Sequence, residues 1–117
     1  MKKGFLSVCT ATLLAAAAPY SDAQLANGFA QFVTMGRDVS PLTSAAIPDS
    51  VTANLKALEG CKVIVVESLA SKQVDYVVEW KCKKKLAEGL KTAVMLKIVE
   101  GRISEIIMAE QVGGPNG

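Results

Sequence analysis

The sequence contains no histidine. That absence removes the commonest general base near neutral pH and the commonest metal ligand, so neither a histidine-dependent active site nor a histidine metal centre is expected, and no cofactor is implied. Charge of one sign is also missing, with 13 Lys and Arg against 11 Asp and Glu. Nucleic-acid binding requires a strongly basic face, so DNA and RNA are not expected partners. No apolar run reaches the about 20 residues that a membrane-spanning helix requires. The longest, from Gly4 to Ala18, follows Met1, Lys2 and Lys3 and precedes "PYSDA", where Ser21 and Ala23 occupy the small-residue positions of a cleavage site. These features predict a secretory signal peptide over residues 1–23 and a mature chain that begins at Gln24 in the periplasm or outside the cell.

Cysteine is scarce too. Of three, Cys9 leaves with the signal, and Cys61 and Cys82 remain. An even pair in an oxidising compartment reads as a disulfide more readily than as a metal site or a nucleophile. Cleavage after Ala23 leaves 94 of the 117 residues, with 11 basic and 10 acidic side chains and a net charge of +1. A chain of that length makes one small domain with a modest core, which a cross-link would help to stabilise. The domain is expected over residues 24–110, followed by a disordered tail over 111–117.

In the mature chain, Leu25, Phe29, Phe32 and Val33 recur at helical spacing, and Gly36 supplies a stop. A helix from Gln24 to Gly36 is therefore expected. The stretch "RDVSPLTSAAIPDS" holds two prolines and several small polar residues and reads as a connection, with one helical turn after Ser40 and Pro41. A second helix follows, capped by Asp49 or Ser50, lined by Val51, Leu55 and Leu58, and ended by Gly60. Beyond Gly60 the period changes from helical to two, and strand-forming residues dominate. Four strands are expected, Cys61–Leu69, Val74–Lys83, Gly89–Val99 and Arg102–Glu110. Short connections favour an antiparallel meander, with Glu100 and Gly101 as a tight turn.

Taking Ser71 and Lys72 as the centre of the first turn puts Cys61 opposite Cys82 and Val65 opposite Val78. The cysteines then occupy a non-hydrogen-bonded position, where side chains approach most closely, and a cystine fits there. It closes a loop of about 22 residues, worth roughly 3 kcal/mol. Extending the registers gives one apolar row of Val66, Val77, Met95 and Ile106 and another of Val65, Val78, Val94 and Ile107. A third row reads Ser68, Asp75, Lys97 and Ser104, and a fourth reads Glu67, Tyr76, Leu96 and Glu105.

Two helices leading into an antiparallel sheet, with "VVEWKC" on one strand, "TAVMLKI" on a later one and "VEGRISEIIM" as the last hairpin, resemble the nuclear transport factor 2-like superfamily. The resemblance covers roughly residues 61–110 and rests mainly on the last hairpin. It implies a cystatin-like α+β roll, two N-terminal helices packed on a four-stranded antiparallel sheet, with a concave apolar face for a ligand. The helical part, Gln24–Glu59, is shorter than in deep-pocketed members of that superfamily. The histidine and aspartate dyads of its enzymes have no matching positions in this chain.

By these registers Glu67, Tyr76 and Glu105 share the core-facing side, and Trp80 lies near them as a ligand-pocket candidate. A carboxyl group in apolar surroundings can act as acid or base, and a nearby phenol can stabilise an oxyanion. The opposing account has both glutamates on edge strands reaching water, with Tyr76 and Trp80 as core aromatics. Ile64, Val66, Val77, Met95, Ile106 and Met108 are expected on the outer face, a patch large enough to suggest a homodimer. Lys81, Lys83, Lys84 and Lys85 form a basic cluster that reads either as a solvated hairpin end deterring edge pairing or as a surface for anionic headgroups. The function expected is a non-catalytic exported module that binds a small apolar ligand or a protein partner. The alternative is a small isomerase- or hydrolase-like enzyme using Glu67 or Glu105 with Tyr76.

Overall fold

A computed structural model describes residues 21–109. Most of the expected signal peptide with its Cys9, together with Glu110 and the expected tail 111–117, lies outside the described residues. The first helix, α1, runs from Asp22 to Thr34 and buries Leu25, Ala26, Phe29, Ala30 and Val33. It begins earlier than its apolar spacing predicts because Ser21 and Gln24 form a reciprocal cap. Ser21 Oγ accepts from the Gln24 N–H at 3.1 Å and Gln24 Oε1 accepts from the Ser21 N–H at 3.0 Å. Two orphan donors of the first turn are thereby satisfied. The cleavage point expected after Ala23 falls inside that capped turn. Gly36, at φ +72°, turns the chain away after the helix.

A single 3₁₀ turn, Ser40–Leu42, interrupts the connection as expected. The Asp38 carboxylate supports it by accepting from the Ser40 N–H at 3.0 Å and the Ser40 hydroxyl at 2.7 Å. Helix α2 spans Asp49–Ala57. Its cap position is Pro48, which offers no side-chain oxygen, so neither Asp49 nor Ser50 caps it; Asp49 sits in the first turn, where a negative charge suits the helix dipole.

The four strands are β1 Lys62–Ser68, β2 Tyr76–Lys81, β3 Ala93–Val99 and β4 Arg102–Ala109. They form one antiparallel sheet in chain order, so the protein is of the α+β class with the expected meander. The third strand starts at Ala93 and not at Gly89. The backbone of Lys91, just before it, is held by a helix side chain: Asn54 on α2 donates from Nδ2 to the Lys91 carbonyl at 2.8 Å and accepts from the Lys91 N–H at 2.9 Å.

The central pair keeps the expected register throughout, with Tyr76 opposite Leu96, Val78 opposite Val94 and Glu79 opposite Ala93. Each outer pair begins in the expected register and then slips by one residue. Between β1 and β2, Val63 lies opposite Trp80, but Val65 lies opposite Glu79, Val66 opposite Val78 and Glu67 opposite Val77. Ile64 is the extra residue. Between β3 and β4, Ile98 faces Ile103, but Lys97 faces Glu105, Leu96 faces Ile106 and Val94 faces Met108. Here Ser104 is the extra residue, and its hydroxyl donates to the Lys97 carbonyl at 3.2 Å.

A one-residue bulge in a period-two strand sends every later side chain to the opposite face. The rows across the sheet therefore read Val66–Val78–Val94–Met108 and Ser68–Tyr76–Leu96–Ile106 on the helix side, and Glu67–Val77–Met95–Ile107 on the outer side. The first hairpin changes with its register. In place of a two-residue turn at Ser71 and Lys72, the Leu69 N–H donates to the Asp75 carbonyl at 2.9 Å, which leaves residues 70–74 as the loop.

The core lies between the helices and the inner face, where Phe29, Leu58, Val78, Trp80, Val94, Leu96 and Ile103 are buried. Phe29 meets Trp80 edge to face, with ring centroids 6.3 Å apart, a favoured aromatic geometry. The Trp80 indole N–H donates to Thr34 Oγ1 at 3.0 Å, and that hydroxyl in turn donates to the Cys61 carbonyl at 3.0 Å. This chain of bonds ties the end of α1 to the strand that carries the cystine. Cys61 and Cys82 are bonded as expected, with Cα atoms 4.5 Å apart, the spacing of a non-hydrogen-bonded pair. The connection after the 3₁₀ turn runs along the free edge of β4, bridging Thr43 to Ile103, with the Ser44 N–H donating to the Ile103 carbonyl at 2.9 Å.

Candidate functional site

The four residues expected to share a pocket are not brought together. Tyr76 stays on the helix face, half-buried beside Leu96. Trp80 is also on that face but is only 1% exposed, and its donor is used by Thr34, so it belongs to the core and offers nothing to a ligand. Glu67 follows the Ile64 bulge and lies on the outer face, exposed, opposite Val77. Glu105 follows the Ser104 bulge and is exposed opposite Lys97. Two carboxylates on opposite edges of the sheet, across it from the phenol, cannot share a substrate with that phenol.

The same slips redistribute the outer patch. Val66, Ile106 and Met108 pack against the core cluster. Val77 and Met95 remain on the outer side, now in a row with Ile107, and Ile64 is 40% exposed. The expected pairing of Asp75 with Lys97 is replaced as well. Asp75 Oδ2 accepts from the Ile98 backbone N–H at 2.7 Å, which extends the β2–β3 ladder one step by means of a side chain.

Glu79, which belongs to none of the rows expected from the sequence, is fully buried in the centre of the sheet opposite Val65 and Ala93. An acidic residue inside "VVEW" was the available signal. Asn54, 5% exposed, is the other buried polar residue among the described ones, and its distant partner leaves no local trace in the sequence.

Three concavities are lined by described residues. One of about 310 Å³ opens between the end of α1, the following connection and α2. Val33, Val39, Ile47 and Leu55 give it apolar walls, and Thr52, Lys56, Arg37 and Asp38 stand among its other lining residues. Its volume is at the lower end of small-molecule sites, about 300 to 1,000 Å³. The carboxylate of Asp38 is held below its ordinary range, first by the Ser40 backbone N–H and then by the Ser40 hydroxyl. The Arg37 guanidinium lies 4.8 Å from the Phe32 ring centroid, a cation–π distance. A second concavity, of about 650 Å³, is lined by Glu59, Gly60, Cys61, Lys62, Lys81, Lys83 and Lys84. A third, of about 230 Å³, runs beside the β4 edge from Thr43 to Ile106. Among the described residues no group of three or more Cys, Asp or Glu side chains is placed to hold a metal ion, and no helix is long and apolar enough to cross a membrane.

Protein-family models, characterised proteins and solved structures include no match to this chain. The functional reading accordingly rests on the geometry of its own side chains.

Proposed function

We propose that this chain is an exported, non-catalytic binding module with a nuclear transport factor 2-like roll, which holds a small, largely apolar ligand between its two helices. The observation that carries the reading is the cavity of about 310 Å³ walled by Val33, Val39, Ile47 and Leu55. Apolar walls supply affinity through burial, and a few polar groups at the mouth orient what is bound. Lys56 and Arg37 bring positive charge to that mouth, while the Asp38 carboxylate is engaged by Ser40. An apolar tail carrying a carboxylate head therefore suits the site.

The separation of Glu67 and Glu105 from Tyr76 supports binding over catalysis, since a general base must reach the group it serves. Titration calorimetry with straight-chain fatty acids from hexanoate to dodecanoate tests the reading. Saturable binding of one ligand per chain is expected, abolished by Thr52→Trp, which places a large ring from exposed α2 surface over the opening. Lys56→Gln should weaken the acids but not the matching alcohols. Binding that survives Thr52→Trp in a folded variant would place the ligand elsewhere.

The homodimer is retained as a proposal on a smaller surface, half-buried Met95 and Ile107 on the outer side of the sheet; Val77 in the same row is only 2% exposed and adds little to it. Light scattering that shows only monomer would end it, and Met95→Lys should dissociate a dimer formed there.

A further inference from the structure

Lys62 and Lys81 are direct cross-strand partners, adjacent to the cystine. Like charges in that relation destabilise a sheet pair, and here the neighbouring Cys61–Cys82 bond holds the strands together regardless. Lys83 and Lys84 line the same concavity, of about 650 Å³, and all four side chains are exposed. The ammonium of Lys84 is anchored by donating to the Glu59 carbonyl at 2.8 Å. Among the described residues Glu59 is the one acidic residue in that lining, yet its carboxyl group is turned against Gly36, where an added β-carbon would meet it. The fold thus gathers four cations around one hollow, cross-links the strands that carry two of them, and directs the local carboxylate toward another contact.

We infer that this hollow binds a multiply charged oxyanion, a phosphate- or sulfate-bearing group bridged between Lys62 and Lys81 and completed by Lys83 and Lys84. Such a group accepts several charge-assisted hydrogen bonds at once and removes the cross-strand repulsion. Its geometry distinguishes a site from a generally basic hairpin end: Lys85, next in sequence to Lys84, does not line the hollow.

The test uses inorganic pyrophosphate followed by amide NMR shifts, together with flotation on phosphatidylcholine vesicles with and without phosphatidylglycerol. Saturable shifts at Lys62, Lys81, Lys83 and Lys84 are expected, with affinity about tenfold weaker in Lys62→Gln and Lys81→Gln, the loss of one hydrogen bond to a charged group, and unchanged in Lys85→Gln. Pyrophosphate should also raise the unfolding midpoint of the parent protein more than that of Lys81→Gln. If pyrophosphate fails but phosphatidylglycerol vesicles capture the protein in a Lys81-dependent way, the oxyanion is a lipid headgroup and the site stands. Equal weakening by Lys85→Gln, shifts spread over distant lysines such as Lys72 and Lys97, or no binding in either arm overturns it.

Discussion

Reducing the Cys61–Cys82 bond, or replacing both residues by serine, removes a cross-link between residues 21 apart in the chain. In the chain-entropy picture a loop of that length contributes about 3 kcal/mol by restricting the unfolded ensemble. Two local effects work in the same direction: Cys61 is buried, and the strands it joins carry Lys62 against Lys81 in the next pair. For a domain of this size, with total stability of order 5 to 10 kcal/mol, the loss is a large fraction. Chemical unfolding in urea, with a slope of roughly 1 kcal/mol per molar, should show the midpoint fall by about 3 M. The thermal midpoint should fall by roughly 12 to 24 °C. The fold should otherwise persist, because the rest of the core cluster, Phe29, Trp80, Leu58 and Leu96 among it, stays in place around the substituted positions. A change below about 1 kcal/mol in the double-serine protein would refute the reasoning, since it would mean that the unfolded chain is already confined without the bond.

Asn54→Ala removes both side-chain hydrogen bonds to the Lys91 backbone, which should cost about 1 to 3 kcal/mol in a denaturant titration. Gly36→Ala combines positive φ with a β-carbon that meets the Glu59 carboxyl; a loss of more than about 1 kcal/mol is expected, and Glu59→Ala should restore part of it. The Asp38 carboxyl, held low by Ser40, contributes stability that is fully present above its unfolded value of 3.8 and is lost as pH falls through the lower folded value. Asp38→Asn keeps an acceptor for Ser40 but cannot titrate, so the fall in unfolding midpoint across the acid range should be shallower in that variant.

How much of this was legible depended on whether a residue's role was local. The cystine and the Glu100–Gly101 turn could be read from sequence because an even cysteine pair at the outer ends of two apolar runs and a glycine at φ +78° are local signals, and the β2–β3 register followed because neither of those strands carries an extra residue within that pairing. The bulges could not. Val63, Ile64, Val65 and Val66 are all apolar, as are Ile106, Ile107 and Met108, so either register places an apolar side chain inward and the period-two signal does not choose between them. The choice falls to packing against α1 and α2, and with it goes the side of the sheet on which Glu67 and Glu105 emerge. The binding cavity was equally hidden, because Val33, Val39, Ile47 and Leu55 come from three segments whose relative placement no local pattern records.

The central claim is that a ligand sits between the helices and not under the sheet or on its outer face. Methyl-detected NMR with octanoate bound measures this directly: the account predicts contacts from the ligand chain to Val33, Val39, Ile47 and Leu55. Contacts instead to Tyr76 and Ile106, or to Met95 and Ile107 on the outer face, would contradict it.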